Sequence, residues 1–270
     1  MLGPGPGEVD EVLPWDGPET AGLLAGERTE GPLGLALDAA DVVVAFTRSE
    51  PLLDALRARV KRLLAHDPAP PQGGPHASVW LARALSPLSL PAGVDAPPPL
   101  VFTEDERREA RARTRALDEG FLALHIGSGS PAKNWPGERF AEAARRLSRG
   151  RPWLLVLGPA EEEPAAWPGA IVAREWPLRV LGAVLSRAGL FLGNDSGVAH
   201  LAAASGAPTL TLFGPTDPAL WAPVGRSVAT LPAPEGMLSA LPVDAVVAAA
   251  RALRSAGPAH ESSPYSRSFR

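Results

Sequence analysis

Leu190-Phe191-Leu192-Gly193-Asn194-Asp195-Ser196-Gly197-Val198-Ala199-His200-Leu201-Ala202-Ala203-Ala204 is the stretch whose reading decides the fold. It begins as a buried strand and turns on Gly-Asn-Asp-Ser-Gly. It continues as an Ala-rich helix, with Asp, Ser and Gly where helix N-caps are found. The first turn of such a helix leaves backbone N–H groups unpaired and carries the positive end of the helix dipole, so it can hold a phosphate. His200 falls about one turn into the helix and can aim a ring nitrogen at the same anion. The competing reading is an ordinary strand–turn–helix connection with a capping Asp. Its neighbours in the sequence separate the two.

Downstream, Thr209 to Phe213 reads as a further strand that ends in Gly214-Pro215-Thr216-Asp217-Pro218. Upstream, Phe121 to Ile126 reads as a strand followed by the loop Gly127-Ser128-Gly129-Ser130-Pro131-Ala132-Lys133-Asn134-Trp135-Pro136, and a helix runs over 138–148. Trp153 to Leu157 is the next strand, then the loop Gly158 to Glu163, a short strand over 171–173 and a helix over 178–188. Strands alternating with helices predict a doubly wound parallel sheet. Ligands of such sheets bind beyond the carboxyl ends of the strands, where every one of these loops emerges.

The first third reads more loosely as β/α units. Val9 to Leu13 is a short strand candidate and Val42 to Phe46 a buried strand. A helix runs from Pro51 to about Arg59, a strand lies within 60–65, and a short helix covers 78–85. Thr103-Glu104-Asp105-Glu106 caps a helix reaching about Asp118, with Arg107, Arg108, Arg111, Arg113 and Arg115 on a solvated face. The domain boundary is placed at its end. Residues 1–117 are expected to form one domain, 118–242 a second, 243–258 a C-terminal helix and 259–270 a disordered tail.

Composition bounds the function. The 270 residues carry a net charge of −4, which gives no basic field for nucleic acid. The chain has no cysteine, so it has neither disulfides nor thiolate metal sites, as in a reducing cytoplasm. No apolar run is long enough to span a membrane, and the Gly/Pro-rich start lacks the features of a signal peptide. The five histidines (His66, His76, His125, His200 and His260) show no metal-ligand spacing. His125 reads as a buried core histidine. Of 26 basic residues only Lys61 and Lys133 are lysines, so a Lys in the Gly/Ser loop stands out as a compact charge.

Four strand-end loops therefore offer complementary groups. The loop from Gly127 through Ser128, Gly129 and Ser130 supplies N–H groups and hydroxyls, and its glycines permit close approach to an anion. Lys133 supplies one positive charge. Asp195, Ser196 and Gly197 supply a helix start with His200 behind it. Glu161 and Glu163 supply carboxylates of the kind that accept bonds from ribose. Together they suit a nucleoside diphosphate held without metal. The chain has neither a P-loop nor a G-x-G-x-x-G fingerprint.

These residues carry a resemblance. His125-Ile126-Gly127-Ser128-Gly129 with Lys133-Asn134-Trp135-Pro136, Leu157 to Glu161, Gly193 to Gly197 with His200 to Ala203, and Phe213 to Pro218 with Trp221 resemble the ADP-heptose–lipopolysaccharide heptosyltransferases, glycosyltransferase family 9. The resemblance implies a GT-B fold of two Rossmann-like domains with the site in the cleft, the N-terminal one incomplete here. It implies an inverting, metal-independent transfer of a heptose or related sugar from an ADP-sugar to a lipopolysaccharide core or other glycan acceptor. The enzyme would be cytoplasmic, with peripheral contact at the inner membrane and no cofactor. It also implies that Lys133 and the Asp195-Ser196-Gly197 turn contact the donor phosphates, with His200 nearby, and that Glu161 or Glu163 takes the ribose. The family opens with a strand and a Gly-Asp loop whose Asp is the catalytic base. No residue here inherits that role, the base is unassigned, and the chain is expected to begin inside the first domain. The alternatives are an inactive nucleotide-sugar-binding remnant and a GT-B protein using another nucleotide, such as a UDP-sugar enzyme.

Overall fold

A computed structural model describes residues 9–90, 99–159, 161 and 167–256. They divide into two compact units, 9–90 and 99–256. The expected tail, 259–270, lies outside the described residues.

The first unit contains α1 (Pro18–Leu24), α2 (Pro32–Ala39), β1 (Val43–Phe46), α3 (Glu50–Arg57), β2 (Leu63–His66) and α4 (Ala77–Ala82). β1 and β2 pair in parallel, Val43 beside Leu63 and Phe46 beside His66. Leu23, Leu37, Ala45, Leu53 and Leu56 form its core. The Glu19 carboxylate of α1 accepts from Leu33 N and Gly34 N at 2.9 and 3.2 Å and so caps α2. Neither α1 nor α2 is anticipated from the sequence pattern. Both begin Gly-Pro, with proline in the first helical turn, where its missing N–H costs nothing. Val9 to Leu13 is not a strand. Its residues are mostly exposed, and beyond a single bridge at Val9 they form no ladder with the described strands.

The second unit is a six-stranded parallel sheet of β3 (Leu122–His125), β4 (Trp153–Leu157), β5 (Ala170–Arg174), β6 (Leu190–Asn194), β7 (Thr209–Phe213) and β8 (Val228–Pro232). The spatial order is β5-β4-β3-β6-β7-β8. Chain order thus runs outward from β3 to one edge, then returns to β6 on the other side of β3, which is the doubly wound dinucleotide-fold order. The strands β3, β4, β6 and β7 are buried throughout and mostly apolar because helices cover both faces.

Alternate residues face opposite layers. Leu122, Leu124, Leu155, Leu157, Leu190 and Leu192 pack with α6 (Gly137–Ser148) and α10 (Val243–Ala256). Ala123, Leu154, Val156 and Phe191 face α5 (Glu104–Arg113), α7 (Leu178–Leu185) and α8 (Gly197–Ala204). The short helix α9 (Pro218–Trp221) follows β7.

The division into units falls before α5, not at 117/118. Leu100 N donates to Ala204 O at 2.8 Å, and Arg179 Nε of α7 donates to Glu106 at 2.5 Å. These bonds hold 99–117 against the second unit. α5 starts where expected, in a capping box formed by Thr103 and Glu106, but ends at Arg113. There the Thr114 hydroxyl turns back to Ala110 O at 2.7 Å. Its four arginines and Arg115 just beyond it are exposed, as read from the sequence.

Candidate functional site

β3 and β6 are neighbours at the point where the strand order reverses. The loops that follow them therefore open side by side at the carboxyl edge of the sheet, where this fold binds ligands. Asn194, fully buried at the end of β6, ties the two together. Its Nδ2 donates to Ile126 O at 2.7 Å and its Oδ1 accepts from Trp135 N at 3.0 Å. The Trp135 indole is itself buried and donates to Leu241 O at 3.0 Å, which anchors the far end of the loop. Asn194 has no role in the sequence reading. The signal available was an amide closing an otherwise apolar strand.

Lys133 and Asp195, assigned from separate loops, meet. Lys133 Nζ lies 3.1 Å from Asp195 Oδ2 and donates to Asp195 O at 3.2 Å. The Asp195 carboxylate is buried, whereas about a quarter of the lysine side chain (23%) reaches solvent. Thr216, in the loop after β7, donates to the same Oδ2 at 2.8 Å. Asp195 therefore does not cap α8. The N-cap is Ser196, in extended conformation and with no side-chain cap bond. Its hydroxyl is buried without a partner. Gly197 opens α8 and His200 follows within the first turn; both are exposed. In the first turn of α8, Ala199 N and His200 N donate to Ser196 O at 3.1 and 3.4 Å, whereas the N–H groups of Gly197 and Val198 precede the first intrahelical acceptor.

The Ser128 hydroxyl is turned into its own loop. It lies 2.7 Å from Asn134 Oδ1 and 2.8 Å from Ser130 O, and it accepts from Ser130 N at 3.3 Å. Ser128 thus shapes the loop, Ser130 precedes a single turn over Pro131–Lys133, and Gly129 stands exposed between them.

Glu161 approaches from the loop after β4. Its Oε2 accepts from Gly158 N at 3.0 Å, and Arg174 holds its backbone through a 2.8 Å bond to Glu161 O. The carboxylate lies directly over Gly127, where a Cβ would fall 1.6 Å from Oε1. The missing side chain at Gly127 therefore makes room for Glu161, not for a ligand as the sequence reading has it. His125 is buried as anticipated, its Nδ1 3.1 Å from Val156 O and 3.6 Å from Glu161 Oε2. Because a carbonyl only accepts, Nδ1 carries the proton. Glu163 lies outside the described residues.

A cavity of about 540 Å³ lies elsewhere, between α6 and the residues before β4 and β5, lined by Ala144, Arg151, Trp153 and Trp167. It sits at the amino ends of those strands, away from the convergent polar groups.

The model of glycosyltransferase family 9 (heptosyltransferase) matches residues 63–239. This chain belongs to glycosyltransferase family 9. The matched span contains β3 to β8 and every described site residue. Lipopolysaccharide heptosyltransferase 1 of Pseudomonas aeruginosa is 35% identical over 114 residues, 40% of this chain and 32% of that relative. The match thus spans about a third of the length of the curated relative. Among solved structures, the family 9 glycosyl transferase of Veillonella parvula superposes with a TM-score of 0.68 at 21% identity, over 88% of this chain and 79% of that one. The E. coli heptosyltransferase WaaC, determined with ADP, gives 0.58 at 19% identity with the same coverage. At these identities the two structures show the fold, which is that of the GT-B heptosyltransferases.

Proposed function

We propose that this family 9 chain binds an ADP-sugar and transfers its heptose, or a related sugar, to a lipopolysaccharide core acceptor. The observation that carries the reading is the Lys133–Asp195 pair beside the first turn of α8, at the point where the strand order reverses. An ammonium and a helix N-terminus on one crevice suit a diphosphate. The WaaC structure, which holds ADP, points to adenine as the base.

In the reaction proposed, the acceptor hydroxyl oxygen attacks the anomeric carbon from the face opposite the diphosphate. The bond from that carbon to the phosphate oxygen breaks, and ADP leaves with the electron pair. Lys133, the Ser196 hydroxyl, the α8 amides and His200 are the groups that meet the charge developing on the leaving phosphate, so the step needs no metal. Glu161, held over Gly127, takes the ribose hydroxyls, and Gly129 with Ser130 lines the approach. The proton released by the acceptor goes to a base that is not assigned here. Among the described residues no helix is long and apolar enough to cross a membrane. An acceptor anchored in lipid is met by peripheral contact at the inner face of the cytoplasmic membrane.

A second reading is donor binding without transfer. It is favoured by the contrast between six strands in the unit that carries the site and two in the described residues of the other. Incubation with ADP-heptose and a heptose-free core acceptor separates the two. Release of ADP together with a heptosylated acceptor supports transfer. Binding of the donor with no product supports the second reading.

A further inference from the structure

We propose that Thr216 is a positioning residue of the donor site, acting on Lys133 through the Asp195 carboxylate. This inference rests on the donor-site reading above.

Asp195 is an odd neighbour for a diphosphate. Its side chain is an anion, and its backbone N–H is already spent on Leu212 O at 3.1 Å in the sheet. Neither group offers a bond to phosphate. Its contribution is to hold Lys133, and a carboxylate can fix an ammonium only if its own orientation is fixed. Thr216 supplies that constraint. Its hydroxyl donates to Oδ2 at 2.8 Å, the same oxygen that faces Lys133 Nζ at 3.1 Å. Hydrogen bonds to a charged acceptor are among the stronger ones in proteins.

The loop that carries Thr216 is pinned on both sides. Before it, Ala233 N donates to Phe213 O at 2.7 Å. Gly214 lies so close to the 236–238 turn that a Cβ would meet Leu238 Cδ1 at 3.1 Å. After it, the Asp217 side chain caps α9 by accepting from Ala219 N at 2.8 Å. Thr216 is thus presented from a braced turn, and three loops, after β3, β6 and β7, converge on one carboxylate. When a diphosphate draws on the ammonium, Thr216 keeps Asp195 in place.

The test uses the whole chain and its two lysines. In protein labelled with ¹³C at lysine Cε, Lys61 and Lys133 give the only lysine signals, and Lys61 serves as the internal reference. Thr216→Val, which keeps the shape and removes the donor, is expected to move the Lys133 signal and leave Lys61 in place. Thr216→Ala does the same, and Thr216→Ser restores the wild-type position. For ADP binding, Thr216→Val is expected to weaken affinity roughly tenfold. Thr216→Ser retains most of it. In a Lys133→Ala background the Thr216→Val effect is expected to vanish. An unmoved Lys133 signal in both Thr216→Val and Thr216→Ala overturns the proposal. So does a Thr216→Val effect on ADP that persists undiminished without Lys133. If the wild-type chain binds no ADP, the donor reading fails, and the lysine spectrum still decides whether Thr216 places Lys133.

Discussion

Lys133 and Asp195 stand 62 positions apart in sequence and 3.1 Å apart in space, each carried by the loop after one of two adjacent central strands. Asp195 is buried and Lys133 partly open to solvent, so the pair presents its positive member outward. Self-neutralised when empty, the site offers an anion a preformed cation beside a helix N-terminus. Lys133→Ala and Asp195→Ala are each expected to weaken ADP binding at least roughly tenfold, with the circular dichroism spectrum unchanged. Because the two residues act as one unit, the double variant should lose less than the product of the single losses. Fully multiplicative losses in calorimetric titrations contradict their coupling.

Gly127 is required by its neighbour. An added Cβ would overlap the Glu161 carboxylate, which is the far end of a flexible side chain and can move away. Gly127→Ala is therefore expected to fold but to displace Glu161. The proposed ribose contact predicts a specific phenotype, in which discrimination between ADP and 2′-deoxy-ADP shrinks while both nucleotides still bind. Thermal melts and competition titrations of the two nucleotides measure this. Unchanged discrimination removes Glu161 from the ribose.

The junction between α5 and α7 depends on one carboxylate. Burial works to raise the Glu106 pKa, but the bond from Arg179, the Thr103 amide and the guanidinium charge outweigh it and hold the carboxyl below its usual range. Arg179 is itself buried and also donates to Val101 O at 2.6 Å. Thr103→Ala removes only half of a capping box and is expected to cost about 1 kcal/mol. Glu106→Ala strips a buried guanidinium of its carboxylate and is expected to cost about 3 kcal/mol. Urea denaturation of both variants checks the order. Equal costs would mean that the cap, not the ion pair, sets stability here.

Acid should loosen α10 before the sheet. Bonds from Arg145 and Arg146 bring the Glu142 carboxyl down from 4.5 to about 2, and Arg146 reaches on to Asp244 in the first turn of α10 at 2.5 Å. A carboxylate whose folded-state pKa is depressed contributes stability above its unfolded pKa and loses it as pH falls toward the folded value. For Glu142 that window runs from about 4.5 down to about 2. The side chain is about a third open to solvent (32%), so screening keeps the effect local. Amide exchange in α10 and at the C-terminal end of α6 is expected to quicken across that window in the wild type, and much less in Glu142→Gln. Equal acid sensitivity in the two proteins would contradict this.

The core of the second unit was legible because β3, β4, β6 and β7 are mostly apolar runs, buried on both faces and separated by helices. β8 escaped notice. Val-Ala-Thr-Leu-Pro is half-exposed at the sheet edge, where a closing proline is tolerated and the apolar signal is diluted. α1 and α2 escaped for a different reason. Their Gly-Pro starts read as loop punctuation, although proline at the first helical position is itself a start signal. The meeting of Lys133 with the Asp195 turn was legible through motif order. Thr216 was visible as part of a motif, but its role depends on where one hydroxyl points. Gly127 was seen as a site of close approach, with the wrong visitor.

The measurement that bears most directly on the account is calorimetric titration of this chain with ADP, UDP and GDP in parallel. Saturable binding of ADP, tighter than of UDP or GDP, is expected, with at least a roughly tenfold loss of ADP affinity in Lys133→Ala. No binding of any of the three by the folded chain, or ADP binding indifferent to Lys133, would contradict it.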